Sequence, residues 1–159
     1  MSTITFSTQI TSFLKQIGIK SSYQSLTDKT FLPGLLIDQG SLIIDTEKMK
    51  YPGDILHEAG HIAVTPEQER KNLSGDVHRC GHGPAEEMAA IAWSWAACLE
   101  LNLPPNVLFH ADGYRGASQT YIEAFTKNSG FGHPLLSYWG LTEPLGKPGG
   151  YPNMTRWLR

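Results

Sequence analysis

The sequence predicts an α+β fold in which a small antiparallel sheet packs on two central helices, with a loop-rich part at the C-terminal side. Three observations lead there. Two short β-type runs, residues 34–37 and 41–44, flank Asp38-Gln39-Gly40, the pattern of a hairpin. An amphipathic helical stretch follows at about residues 52–64. Residues 85–101 are then apolar nearly all round, as expected of a buried helix. A chain of 159 residues fits one domain, 1–159, with its core at about 35–104 and a loop-rich extension at 105–159.

In chain order, residues 6–18 place Ile10, Phe13, Leu14 and Ile17 at helical spacing. Ser7 or Thr8 could cap this helix, and Gly18 could end it. Residues 23–33 form a polar connection to the hairpin. In the helix at 52–64, Pro52 suits a first turn, Asp54 suits the positive end of the dipole, and Pro66 marks the exit. Residues 65–84 are polar and glycine-containing, hence a loop, with a short helix near 66–71. Pro104-Pro105 stops the apolar helix. Residues 107–116 read as a loop, 118–125 and 132–139 as short elements, and 140–152 as a Gly/Pro-rich loop. His133, between Gly132 and Phe131 on one side and Pro134 on the other, reads as structural. Met154, Trp157 and Leu158 make 153–159 an amphipathic tail.

Composition removes several function classes. Thirteen basic and fifteen acidic residues give a net charge of −2, without a Lys/Arg cluster, so a nucleic-acid partner gains no support. With 40% hydrophobic and 18% charged residues the chain should fold. Cys80 and Cys98 are too sparse for a disulfide framework. Residues 1–17 lack a basic region followed by an apolar one, and no apolar run is long enough for a bilayer. The expectation is a soluble cytoplasmic protein with no membrane partner; oligomeric state is not legible.

The chemistry concentrates in His57-Glu58-Ala59-Gly60-His61, a His-Glu-x-x-His motif. On a helix the two histidines share one face, so both imidazoles can bind one Zn²⁺ at about 2.0–2.1 Å. Glu58, rotated by about 100° from His57, can reach a water on the metal without being a ligand. Ala59 and Gly60 are small and permit a close neighbouring helix. A catalytic zinc needs a third protein ligand and an open position. Glu86 and Glu87, at the head of the apolar helix, are the candidates. Glu87 is favoured because its face continues through Ala90 and Ile91 to the small Ser94. His78, Cys80 and His82 form a second cluster whose spacing fits no standard zinc module; it reads as a polar loop near the site, from which one histidine could replace the glutamate.

At these residues the chain resembles a gluzincin, the zincin group whose third zinc ligand is a glutamate on a downstream helix. It is most similar to the small ImmA/IrrE-type metallopeptidase domains. They share a His-Glu-x-Gly-His helix, here residues 57–61. They also share an alanine-rich helix headed by a ligand glutamate, here Glu86 or Glu87 before Ala89, Ala90, Ala92, Ala96 and Ala97. The resemblance spans residues 35–104 and implies a compact minimal zincin-like domain that binds Zn²⁺ through His57, His61 and Glu87.

In such a site the metal acidifies water and polarises a carbonyl, and Glu58 acts as general base. His110 and Tyr114 are the candidate groups to stabilise the oxyanion, with Arg115 beside them. Asp54 or Asp112 could orient a ligand histidine. The expected function is hydrolysis of peptide or amide bonds in a peptide or protein substrate. The alternative is a catalytically silent metal-binding sensor or interaction domain, which would have no need of Glu58.

Overall fold

The computed structural model describes residues 2–159. It has the expected α+β architecture. α1 (Thr3–Ile17) starts earlier than the apolar pattern suggests, because Ser2 rather than Ser7 or Thr8 caps it, its hydroxyl accepting from the Thr5 N–H at 3.3 Å. The first turn is exposed and so leaves no hydrophobic periodicity to read. Gly18 ends the helix with φ 98°, in the left-handed region that glycine enters without cost.

Three strands form one sheet in the order β1 (Ser21–Tyr23), β3 (Ser41–Ile44), β2 (Leu35–Asp38). The expected hairpin is β2–β3, with Leu35 opposite Ile44 and Ile37 opposite Leu42. Gln39 and Gly40 both have positive φ, 50° and 78°, which gives the turn the hand that matches strand twist. Leu35, Ile37, Leu42 and Ile44 alternate into the core. The sheet is mixed, not purely antiparallel, because β1 adds parallel to β3. β1 is three residues long and mostly exposed, so its Ser-Ser-Tyr carries no strand pattern. Beyond β1, the Asp45 carboxylate accepts from the Leu26 N–H at 2.8 Å and ties down the connection expected at 23–33.

α2 (Gly53–Val64) carries the His-Glu-x-x-His motif and is buried along its whole length. α3 (Pro84–Glu100) is buried from Ala89 to Cys98. The two helices touch where their residues are smallest: a Cβ on Gly60 would lie 2.7 Å from the Ala90 carbonyl oxygen. Nearby, Ser94 donates to the Ala90 carbonyl at 2.5 Å. Between them the chain makes two 3-10 turns, Glu67–Asn72 and Val77–Cys80.

The C-terminal part holds more helix than expected: α4 (Pro105–Leu108), α5 (Ser118–Thr126) and α6 (His133–Tyr138). α4 lies within a stretch whose Gly and Asp residues read as loop. Aromatic packing joins these pieces to α3, with Trp95 on Phe109 at 5.8 Å and Phe109 on Phe125 at 5.6 Å. The tail at 153–159 is irregular but docked, Trp157 meeting Phe13 edge-on at 5.0 Å. His133 stacks on Tyr151 at 5.1 Å. Both cysteines are free, Cys80 exposed and Cys98 buried. Among the described residues no helix is long and apolar enough to cross a membrane.

Candidate metal centre

His57 and His61 sit one helical turn apart on α2, and both Nε2 atoms face the first turn of α3. His57 Nε2 lies 3.0 Å from Glu87 Oε1, and His61 Nε2 lies 2.9 Å from Glu87 Oε2. The three donor atoms fall within 4.8 Å of one another. Glu86 is turned away: its carboxylate accepts from the Gly83 N–H at 2.9 Å and closes the start of α3. The two adjacent acids therefore divide the work, Glu87 facing the histidines and Glu86 capping the helix.

Burial sets the electrostatics. His57 is 8% exposed, Glu58 6% and His61 1%. Burial pulls the His57 imidazole down, but the hydrogen bond and charge of Glu87 more than offset it, so its pKa ends raised. For His61 burial wins and, with Glu87 opposing it, holds the pKa near 4. Burial alone would raise Glu87; the two imidazoles that hydrogen-bond to it instead hold it well below the usual carboxylate range. Glu58 is pushed up to about 7 by burial, against the attraction of His57. It makes no hydrogen bond, and neither of its oxygens is sealed from solvent.

The second ring nitrogens of the histidines go elsewhere than expected. His61 Nδ1 meets His82 Nδ1 at 2.9 Å, and His82 Nε2 meets the Thr65 hydroxyl at 2.9 Å. His57 Nδ1 is buried without a partner. Neither Asp54 nor Asp112 orients a ligand: Asp54 bonds His110 Nε2 at 2.7 Å, and Asp112 accepts from the Tyr51 hydroxyl. His78 is partly exposed, its Nε2 3.8 Å from Glu87 Oε2, beyond hydrogen-bond reach. The loop at 73–83, bland in sequence, thus brings His82 into the site; a His at any spacing from a ligand His was the only available signal.

A cleft of about 920 Å³ opens over the site, lined by His57, Glu87, Tyr51, His110, Tyr114 and Phe31 among others. His110 is wedged in its wall. Tyr51 stacks on it at 3.8 Å, Asp54 holds Nε2, and Nδ1 is sealed. Tyr114 faces His57 edge-on at 5.8 Å, supported behind by Phe109 at 5.1 Å and Tyr121 at 5.6 Å. Its hydroxyl has no partner, and burial raises its pKa well above the usual phenol value. Tyr114 and Arg115 both have positive φ, 56° and 53°, a costly backbone for non-glycine residues.

No protein-family model, no curated protein and no solved structure matches the chain. The donor set itself answers whether a metal fits. Two imidazole nitrogens and an ionised carboxylate converge on one point, a set that suits a divalent ion such as zinc. Aligning a carboxylate on a histidine held near pKa 4 sets two lone pairs against each other, which a bound cation relieves.

Proposed function

We propose that the chain is a zinc-dependent hydrolase of peptide or amide bonds, a small gluzincin-type metallopeptidase related in plan to ImmA/IrrE-type domains. The convergence of His57, His61 and Glu87 beneath an open cleft carries this reading. Zinc, where bound, supplies a Lewis acid that polarises a carbonyl and makes water nucleophilic near neutral pH. His57, His61 and Glu87 would hold it.

The remaining steps belong to side chains of this chain. Glu58, with a pKa near 7, takes a proton from the attacking water and returns it to the leaving amine; a base poised near the working pH does both. Tyr114, whose hydroxyl has no protein partner, donates to the oxygen that becomes negative as the carbonyl is attacked. His110 has both nitrogens engaged or sealed, so the role shared between it and Tyr114 in the sequence falls to Tyr114, with His110 and Tyr51 shaping the wall. The aromatic lining accommodates a peptide or protein segment.

Elemental analysis of the purified protein, followed by a broad peptide library presented to wild type and Glu58→Gln, tests this. The expected result is one zinc per chain in both and cleavage by wild type alone. Absence of bound zinc removes the proposal. Zinc without cleavage in either protein leaves the silent sensor domain as the reading.

A further inference from the structure

We infer that His82, seated on Thr65, is a positioning residue that holds His61 in its Nδ1–H form and so leaves Nε2 bare toward Glu87. Its purpose rests on the metal reading above; its hydrogen-bond geometry does not.

Thr65 follows the last residue of α2, and its Oγ1 lies 2.7 Å from the carbonyl oxygen of His61, one turn back. A carbonyl only accepts, so the single hydroxyl proton points there. Thr65 Oγ1 is left with lone pairs, and His82 Nε2, 2.9 Å away, must donate to it. One proton then remains to be placed between His82 Nδ1 and His61 Nδ1, 2.9 Å apart. Placing it on His82 would make that ring a cation. His82 is 9% exposed, and among the described residues no carboxylate lies within ion-pair distance of it, the nearby acid Glu87 pairing with His57, His61 and His78. A buried charge without a partner is costly, so the proton belongs to His61 Nδ1. Whether His61 is neutral or charged, Nδ1 carries a proton, and the neutral ring presents its lone pair at Nε2.

The loop is built to deliver His82. Asp76 caps the turn Val77–Cys80, Gly81 reverses the chain at φ 100°, and the His82 N–H returns to the Val77 carbonyl at 3.1 Å. His78 Nδ1 lies 3.3 Å from the His82 carbonyl. Partners of this kind fix the orientation of a ligand imidazole and raise its basicity, and their loss weakens metal binding about 10- to 100-fold.

Long-range ¹⁵N–¹H correlation spectra of the ¹⁵N-labelled whole chain, with and without zinc, read the tautomer directly. A proton on His61 Nδ1 in both states is expected; a bare Nδ1 overturns the inference. Zinc competition against a chromophoric chelator then compares wild type, His82→Ala, Thr65→Val and Thr65→Ser. The first two variants should bind about 10- to 100-fold more weakly, with Thr65→Ser restoring affinity. Wild-type affinity in His82→Ala and Thr65→Val overturns the positioning role. Should a variant fail to fold, the wild-type spectra still decide. Should wild type bind no zinc, the metal reading fails while the metal-free spectrum still reports the tautomer.

Discussion

Gly60 of α2 and Ala90 of α3 meet backbone to backbone: a methyl at position 60 would stand 2.7 Å from the Ala90 carbonyl oxygen and 3.2 Å from its Cα. This contact sets the distance between the helix that carries both histidines and the helix that carries Glu87. In an isolated helix Gly→Ala gains about 1 kcal/mol. Here the extra methyl meets backbone that cannot turn aside. Gly60→Ala should destabilise the protein by about 1–3 kcal/mol and weaken zinc binding. Urea unfolding and a zinc titration check it, and a stabilised variant would show that the helices do not meet there.

Glu87 and Glu86 should separate cleanly. Glu87→Ala removes the carboxylate that both Nε2 atoms face, so zinc binding should be lost. Glu86→Ala removes only the bond to the Gly83 N–H and should cost about 1 kcal/mol of stability with zinc affinity unchanged. Equal zinc affinities in the two variants would refute the assignment.

Much of this was legible in residues 34–101 because there the pattern and the packing coincide. Alternating Leu35, Ile37, Leu42 and Ile44 read as a hairpin, and the small residues Gly60, Ala90 and Ser94 read as a helix contact that favours Glu87. What escaped depends on long-range placement. β1 is polar and exposed, so only its partner β3 makes it a strand. His82 reaches His61 through a loop whose conformation is set by Asp76 and Gly81, and the sequence gives spacing without direction. Asp54 faces His110, 56 positions away, and no local pattern couples them.

Zinc binding should release close to one proton near neutral pH rather than two. His57 is held above its ordinary value of 6.5 by Glu87, whereas His61 is held near 4 and is already neutral. As pH falls through the raised His57 value, affinity should drop about tenfold per pH unit, steepening to about a hundredfold only near pH 4. Competition titrations between pH 8 and pH 5 measure the slope. A hundredfold loss per unit beginning at 6.5 would mean that both histidines titrate alike.

Glu58 should make the metal-free protein less stable as pH rises. Its folded pKa is raised from 4.5 to about 7 by burial, so the stability carried by its protonated form is full below 4.5 and is lost as pH rises through 7. Glutamine at this position cannot ionise. In chelator, Glu58→Gln should therefore gain on wild type by up to about 3 kcal/mol between pH 4.5 and pH 8. Urea unfolding at several pH values gives the difference directly; one that does not vary with pH would show that burial does not hold the proton on Glu58.

Tyr114 offers the sharpest separation of stability from function. Its hydroxyl is buried without a partner, and its backbone sits at φ 56°. An unsatisfied buried hydroxyl costs about 1–3 kcal/mol, so Tyr114→Phe should be neutral to stabilising in the unliganded protein. The ring contacts with Phe109 and Tyr121 survive that change. If the hydroxyl is the donor to the developing oxyanion, the same substitution should lower kcat about 100- to 1000-fold with zinc affinity intact. Thermal unfolding, a zinc titration and peptide hydrolysis on one sample test all three. A stability loss would reveal a partner for the hydroxyl in the folded protein, and unchanged kcat would remove Tyr114 from the chemistry and return the oxyanion to another cleft residue.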